Sequence, residues 1–222
     1  MMKIDVIIPV YEPTKKLKKL LRALAVQTVQ PVQIMLVHTK DGQDLAYAKE
    51  LCGEIPVKEI MVRKADFDHG GTRDMAIRKV QSDIVLLMTQ DAIPADRELL
   101  EHLGQALHAD DTVAVAYARQ KAGKEGDYIE QYTRQFNYPA ESRIKSGDDL
   151  ERLGIKTYFC SNVCAAYKRD TYLQIGGFEK KIIFNEDMVF AAKAIEHGYK
   201  IAYVAEAVVI HAHNYTYLHQ FR

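Results

Sequence analysis

Short apolar runs alternate with amphipathic segments in the first half of the chain, and this alternation limits the possible folds more than any other feature. Residues 4–11, 33–38 and 84–88 are short runs rich in Ile, Val and Leu, which are typical of strands buried on both faces. Leucines recur at helical spacing over 17–24, with lysines and arginine between them. The pattern predicts an α/β, Rossmann-like domain with a mostly parallel central sheet flanked by helices.

The remaining segments extend this prediction over one domain of 222 residues, a length that can bury a large core. Further helices are predicted at 45–51, 72–80, 99–107, 171–175 and 187–197, and further strands at 57–62, 113–117, 162–167 and 201–209. Residues 119–157, rich in Tyr, Arg and Gln, are expected to form an ordered excursion that lines a cleft. An amphipathic segment at 215–222 stops abruptly, as at the cut end of a longer chain.

Composition and charge exclude several classes of protein. Thirty basic residues balance thirty acidic ones and Trp is absent, which disfavours a nucleic-acid partner. The three cysteines form no CxxC pair and no apolar run approaches the ~20 residues of a membrane span, so we expect a cytoplasmic protein. The basic face over 15–22 is read as a solvated surface, with peripheral contact at the inner membrane face as the alternative. The sequence gives no prediction of oligomeric state.

Asp91 follows the predicted strand 84–88 and is the first candidate for chemistry. A carboxylate at the carboxyl end of a parallel strand can hold Mg²⁺ or Mn²⁺ against a diphosphate. A helix cap or turn is the equally weighted alternative for this residue.

The second candidate is Asn185-Glu186-Asp187, at the start of a predicted helix. A carboxylate held there could accept the proton of an attacking hydroxyl. Helix capping alone also explains two acids in a first turn, because the helix dipole favours negative charge at that end.

Two further motifs come from a strand end and from a glycine pair. His211 and His213 are two residues apart after a predicted strand, so both imidazoles are expected on one side, as a metal ligand and a phosphate donor or as a solvated strand end. The segment 67–74 (FDHGGTRD) offers close backbone approach, free helix amides and the guanidinium of Arg73 for an anion. A tight turn capped by Thr72 is the structural alternative.

The order of these motifs resembles that of family 2 glycosyltransferases over nearly the whole chain. The resemblance is carried by IIPVY at 7–11, MTQDA at 88–92, Gly176-Gly177-Phe178, Glu186-Asp187 and His211. The segments 67–74, 134–139 (RQFNYP) and 161–167 (SNVCAAY) are most similar to the rhamnosyltransferase branch.

The resemblance implies a glycosyltransferase A-type fold and transfer of a sugar, rhamnose in that branch, from a nucleotide-diphosphate donor to a glycan or lipid-linked acceptor. It implies an inverting displacement aided by Mg²⁺ or Mn²⁺, with residues 1–94 as the nucleotide-binding half and 95–222 as the acceptor-binding half. Carried over by position, the catalytic residues are Asp187 and Glu186 and the metal ligands are Asp91 and His211. The nucleotide-sugar-binding residues are Pro9, Val10, Tyr11, Glu12, Asp41, His69, Arg73, Asp74, Gln90 and Asp91. The acceptor-side residues are Gly176, Gly177, Phe178 and His213.

Three positions depart from the family pattern. Thr89 stands where the first metal acid of the family is usual, Asp74 replaces an Asn, and residues 38–42 (HTKDG) replace the turn that grips the base. Two alternatives therefore remain open. One is a sugar-nucleotide nucleotidyltransferase, although its glycine loop would follow the first strand rather than lie two units later. The other is a non-catalytic module that binds nucleotide sugars.

Overall fold

The computed structural model describes residues 2–123, 126–182 and 184–212, and within these ranges the chain folds as a nine-stranded sheet with helices on both faces. The strands are β1 Ile4–Val10, β2 Gln33–Thr39, β3 Val57–Val62, β4 Ile84–Met88, β5 Ile93–Pro94, β6 Val113–Lys121, β7 Arg143–Lys145, β8 Cys164–Lys168 and β9 Lys200–Ile210. The helices are α1 Lys15–Ala25, α2 Tyr47–Cys52, α3 His69–Ile77, α4 Leu99–Ala109, α5 Tyr128–Asn137, α6 Leu150–Leu153, α7 Arg169–Gln174 and α8 Glu186–Glu196.

The strand order is β3-β2-β1-β4-β8-β6-β9-β5, with β7 also paired to β9. The β3-β2-β1-β4 half is parallel, as are β6 and β9, whereas β8 runs antiparallel to both β4 and β6. The predicted α/β architecture is confirmed. The reversed β8 was not predicted, because a buried apolar run has the same composition in either strand direction.

Two apolar cores cover the two faces of the sheet. Along β1, the side chains of Ile4, Val6 and Ile8 pack on the face that carries α1, α2 and α4, and Ile7 packs on the face that carries α3, α7 and α8. This alternation follows from the period of two in a strand. Because both faces are buried, the strand ends are where polar side chains reach solvent.

Helix α3 begins at His69, three residues before the predicted start at Thr72. The Asp68 side chain caps it by accepting from the Gly71 N–H at 2.9 Å. Gly70 has no Cβ, and one built there would overlap the carbonyl oxygen of Glu179. The first turn of α3 can therefore lie against the loop that precedes α8.

The segment 119–157 contains more regular structure than its composition indicated. Strand β6 extends to Lys121, and α5, β7 and α6 follow. No residue of α5 is buried, and Tyr128, Tyr132 and Phe136 are all exposed. This helix lies on the surface of the second half of the chain.

Two predictions concern the ends and surface of the chain. His213 and the amphipathic segment 215–222 lie outside the described residues. Among the helices that the structure does describe, none combines the length and the apolar character needed to cross a bilayer. The Leu side chains of α1 are buried, and most of its basic side chains are exposed, as predicted.

Candidate functional site

A cavity of about 240 Å³ opens where β1 and β4 end and α3 begins; we call it the strand-end cavity. It is lined by Pro9, Val10, Tyr11, Phe67, His69, Arg73, Thr89, Gln90 and Asp91. Seven of these nine are among the predicted nucleotide-sugar-binding residues. Parallel β1 and β4 direct their carboxyl ends to one edge of the sheet, so residues 80 positions apart in the chain meet there.

The Gln90 side chain holds the β1 end of this cavity in place. Its Oε1 accepts from the Tyr11 N–H at 3.2 Å and its Nε2 donates to the Tyr11 carbonyl at 2.8 Å. The Tyr11 ring lies under the Lys64 ammonium, which also donates to the Tyr11 hydroxyl at 2.7 Å. The side chain next to Asp91 thus fixes the loop that carries Tyr11.

Glu12 and Asp41 lie beside this cavity rather than among its lining residues. The Asp41 carboxylate accepts from the Glu12 N–H at 2.6 Å and from the Gln43 N–H at 2.9 Å, and it lies 3.0 Å from His38 Nε2. Glu12 has a left-handed backbone with φ of 46°, which this hydrogen bond supports. In this arrangement the Asp41 carboxylate fixes the β1–α1 loop.

Glu186 and Asp187 lie in the first turn of α8 and are held by different partners. Glu186 is 5% exposed, and its Oε1 lies 3.2 Å from Arg73 Nη1 and accepts from Asn162 Nδ2 at 3.0 Å. Asp187 Oδ2 accepts from the Asn162 N–H at 2.8 Å. Asn185 precedes them with a left-handed φ of 66° and makes no side-chain cap. Asn162 therefore contacts both acids, one with its side chain and one with its backbone.

The surroundings of Asp187 raise the pKa of its carboxyl group above the ordinary value. Burial raises the pKa of its carboxyl, and the neighbouring charge of Glu186 raises it further. The N–H groups of Asn162 and Met188 and the charge of Arg73 act in the opposite direction, and the net pKa lies above the ordinary value. A carboxylate with a raised pKa is a stronger proton acceptor when ionised.

His211 and Asp91 meet on the other side of the strand-end cavity. His211 Nε2 lies 3.4 Å from Asp91 Oδ1, and His211 is 4% exposed. Its Nδ1 lies 3.1 Å from Gln120 Oε1, which accepts from Arg134. The same Nδ1 lies 3.2 Å from Arg134 Nη2. With hydrogen on Nε2, the imidazole accepts from Arg134 and Nε2 faces Asp91 as a donor; with hydrogen on Nδ1, it donates to Gln120 and leaves the Nε2 lone pair for a cation.

Lys16 also reaches this group of residues. Its ammonium donates to the Ala212 carbonyl at 2.7 Å and lies 4.0 Å from Asp91 Oδ2. Lys16 belongs to the basic face over 15–22, which was predicted to be a solvated surface. The structure instead brings its charge beside Asp91.

The donor set at Asp91 fits a divalent cation that takes its other ligands from substrate and water. A carboxylate oxygen and an imidazole nitrogen face each other at 3.4 Å, and the Thr89 hydroxyl is buried without a hydrogen-bond partner among the described residues. The described residues contain no cluster of three or more His, Cys, Asp or Glu that would enclose a metal by itself. An open site of this kind is typical of Mg²⁺ or Mn²⁺ held with phosphate oxygens.

Asp74 and the turn 176–178 do not reach the strand-end cavity. Asp74 is 2% exposed, accepts from Arg78 Nε at 2.8 Å and accepts from the Tyr172 hydroxyl at 3.1 Å. Phe178 is 3% exposed and packs edge-on against the ring of Tyr172. Gly177 has φ of 77°, and a Cβ there would overlap Asp74. Asp74, Gly177 and Phe178 tie α3 to α7 in the core, whereas Gly176 is exposed. The acceptor-side role of the turn and the nucleotide-binding role of Asp74 stay predictions.

Four residues reach the site although their positions in the sequence indicated no role for them. Asn162 lies in the segment 161–167, Gln120 lies in the segment 119–157 that was expected to line a cleft, and Phe67 lies in the segment 67–74 and lines the strand-end cavity. Arg134 stood inside the segment 134–139 and now contacts Gln120. The sequence feature that could have indicated Asn162 is a polar residue beside a buried apolar run, because such a residue lies at the edge of the sheet.

The sequence of this chain is similar to a known protein family and to characterised proteins. Residues 3–221 match the model of the family described as glycosyltransferase like family 2. The chain is 38% identical over 223 residues to the O-antigen chain rhamnosyltransferase RfbN of Salmonella typhimurium, covering 100% of this chain and 70% of that protein. It is also 38% identical to the O-antigen chain rhamnosyltransferase WbaN of Salmonella anatum, covering 97% of this chain and 68% of that protein.

Solved structures share the fold at lower identity. S. aureus TarS 1-349 in complex with UDP-GlcNAc matches with a TM-score of 0.75 and 16% identity over 100% of this chain. The mannosyltransferase PcManGT of Pyrobaculum calidifontis, in complex with GDP-Man and Mn²⁺, matches with a TM-score of 0.72 and 17% identity over 99% of this chain. This chain spans 61% and 59% of the length of those two structures.

Proposed function

This chain belongs to glycosyltransferase like family 2, and on that premise we propose that it moves a sugar from a nucleotide-diphosphate donor to a hydroxyl of a glycan or lipid-linked acceptor. The 38% identity to two O-antigen chain rhamnosyltransferases supports rhamnose as the sugar and a growing polysaccharide as the acceptor. Family membership favours a transferase over the nucleotidyltransferase alternative, and the glycine pair follows β3 rather than β1.

One observation carries the proposal: four ionisable side chains from distant parts of the chain converge around the strand-end cavity. Asp91 and Arg73 line it, Glu186 pairs with Arg73 at 3.2 Å, and His211 lies 3.4 Å from Asp91. We assign residues 1–94 to donor binding and 95–222 to acceptor binding. In this division His211 and Glu186 come from the second half and contact Asp91 and Arg73, which line the cavity from the first half.

The donor is proposed to bind with its base beside Tyr11 and its diphosphate beside Arg73 and Asp91. Arg73 offers a guanidinium that Glu186 and the His69 carbonyl hold in one orientation, and its buried Nε has no partner among the described residues. A divalent cation held by Asp91 and His211 would supply positive charge against the departing diphosphate. Preorganised positive charge at a leaving group lowers the barrier for its departure.

Asp187 is proposed as the general base of a single, inverting displacement. Its carboxylate accepts the proton of the acceptor hydroxyl while that oxygen forms a bond to the anomeric carbon and the bond to the diphosphate oxygen breaks. The N–H groups of Asn162 and Met188 fix the two carboxylate oxygens at 2.8 Å each. Arg73 neutralises Glu186, so the adjacent charge does not fully suppress the ionised form of Asp187.

The test compares isosteric variants in a screen of uridine, thymidine and guanosine diphosphate sugars with Mn²⁺. We expect Asp187→Asn to retain nucleotide binding and lose about 10²–10⁴-fold in sugar transfer or donor hydrolysis, because a general base contributes that much. Asp91→Asn should weaken nucleotide binding in the presence of Mn²⁺. Asp111→Asn, at a fully exposed carboxylate, is the matched control.

Two results would contradict the proposal. Equal, mild losses in both variants would remove the assigned division of roles. If nucleotide affinity is the same with and without Mn²⁺ and the unaltered protein shows no transfer or hydrolysis, the results would favour the non-catalytic module.

A further inference from the structure

A second cavity, separate from the strand-end cavity, lies between β6, β7, β9 and the segment 136–159; we call it the aromatic cavity. Its volume is about 150 Å³, and its walls include the rings of Tyr117, Phe136, Phe159 and Tyr203. A cavity of this size holds several waters but is smaller than the usual site of a whole nucleotide or drug-sized ligand. It suits a single ring that carries one small group.

Three basic side chains line the aromatic cavity and no acidic side chain does so: Arg143, Lys145 and Lys156. Arg143 and Lys156 are exposed, and the Lys156 ammonium lies 4.2 Å from the centre of the Phe136 ring. Phe136 is 60% exposed, so this side of the cavity opens to solvent. An anion that enters therefore meets positive charge at the opening.

Lys145 places a buried ammonium in the wall. It is 3% exposed, donates to the carbonyls of Lys156 and Phe159, and lies 5.0 Å from the centre of the Tyr117 ring. An ammonium has three N–H donors, and these two carbonyls account for two of them. Burial lowers the pKa of Lys145 to about 8, so a bound anion would offset a cost that the protein already bears.

Side-chain contacts connect the walls of this cavity to His211, a proposed metal ligand. The Tyr138 ring packs 5.6 Å from Phe159 and 6.3 Å from Tyr203, measured between ring centres. The Tyr138 hydroxyl accepts from Gln120 Nε2 at 2.6 Å, and Gln120 Oε1 lies 3.1 Å from His211. Only the side chains of Tyr138 and Gln120 thus lie between the cavity wall and His211.

We propose that the aromatic cavity binds a sugar ring that carries a phosphate group, as part of the acceptor. Aromatic faces suit the C–H faces of a pyranose, and the three cations of the wall suit a phosphate, since Asp149, the carboxylate that acts on Arg143 and Lys145, pairs with Arg152 and does not line the cavity. The identification of this ligand as part of the acceptor rests on the proposed function. Binding of the ligand can be measured without any sugar transfer.

The test is a titration followed by NMR of labelled Tyr and Phe, without donor or metal, using α-D-glucose 1-phosphate as the probe. We expect signals of Tyr117 and Tyr203 to shift, and we expect methyl α-D-glucopyranoside and inorganic phosphate each to bind at least about tenfold more weakly, because each lacks one half of the recognition. Arg143→Gln with Lys156→Gln should weaken glucose 1-phosphate binding by about tenfold or more. Lys49→Gln with Lys58→Gln, exposed cations on α2 and β3, is the control of equal charge.

Each alternative result overturns the proposal in a distinct way. If both double variants weaken glucose 1-phosphate binding equally, the binding reflects general charge attraction. If inorganic phosphate binds as tightly as glucose 1-phosphate, the sugar ring contributes nothing to recognition. Shifts confined to Tyr11 and Phe67 would place the probe in the strand-end cavity. Failure of nucleotide-sugar binding would refute the proposed function and leave these results standing.

Discussion

Two neighbouring carboxylates, Glu186 and Asp187, differ because their partners differ. Glu186 faces the guanidinium of Arg73 and the amide of Asn162, whereas Asp187 is held by backbone N–H groups. An ion pair stabilises a charge that stays in place, and a carboxylate without that pair can take up a proton. The structure thus gives adjacent residues of one helix turn separate electrostatic roles.

The raised pKa of Asp187 predicts the acid limb of the pH profile. Transfer needs the ionised carboxylate, so kcat should fall as pH drops through the raised pKa, at a higher pH than an ordinary carboxyl would give. The folded state also binds more protons than the unfolded state between the two pKa values, so the free energy of unfolding should decrease as pH rises through that interval. A kcat profile with saturating substrates measures the limb.

Asn162→Asp tests the same electrostatics through a positioning residue. A third carboxylate beside Glu186 and Asp187 adds like charge, so the acid limb of kcat should move to higher pH while the KM for the donor changes little. Gln105→Glu, an exposed residue of α4, adds the same charge elsewhere and should leave the limb in place. A general loss of activity without a shift of the limb would mean that Asn162 is merely structural.

At the scale of elements, the contact between α3 and the start of α8 decides whether Arg73 reaches Glu186. Gly70 lies in the first turn of α3 against the Glu179 backbone, and its absent Cβ would also lie 3.4 Å from the Glu186 Cβ. Asp68 caps the helix and also accepts from the Lys181 N–H at 3.1 Å. The two helix starts are therefore joined by backbone contact as well as by the ion pair.

Gly70→Ala should separate these elements. A methyl group cannot fit against a backbone carbonyl, so we expect a loss of about 1–3 kcal/mol in the free energy of unfolding and a larger proportional loss in donor binding through Arg73. Gly147→Ala, where a Cβ would meet Ile195 at an ordinary 3.7 Å, is the control. Chemical denaturation measures the first effect, and unchanged stability of Gly70→Ala would refute the close approach.

The elements also show what the sequence could predict. The strand bounds at 84–88 agreed with the structure because Asp83 and Thr89 flank a continuous apolar run, and those at 57–62 agreed because Pro56 and Arg63 flank a short run rich in Val, Ile and Met. The regular elements of 119–157 were missed because their side chains are mostly exposed and so carry no burial period. Asn162 was missed because its role depends on α8, which lies 24 positions away in the chain.

At the scale of the whole molecule, the strand-end cavity draws on both halves of the sheet. Asp91 follows β4 in the parallel half and His211 follows β9 in the other half, and β8 and β6 lie between those strands. Before the structure, only the family resemblance predicted that Asp91 and His211 lie together. The contact between Asp91 and His211 spans the sheet because β9 and β4 present the same ends to the cavity.

A cation shared by these two residues and a diphosphate should couple metal binding to nucleotide binding. We expect Mn²⁺ and a nucleoside diphosphate together to raise the melting temperature by more than the sum of their separate effects, because each supplies ligands to the other. His211→Ala should remove the excess and keep the separate nucleotide effect. Thermal unfolding followed by circular dichroism measures this, and strictly additive shifts would exclude a shared cation.

The amide of Gln90, bound twice to the Tyr11 peptide, sits one residue from Asp91. In the proposed binding mode, these two hydrogen bonds fix the distance between the ring that contacts the base and the carboxylate near the diphosphate. We therefore expect donors with a different number of phosphates to bind poorly, because neither contact can move without the other.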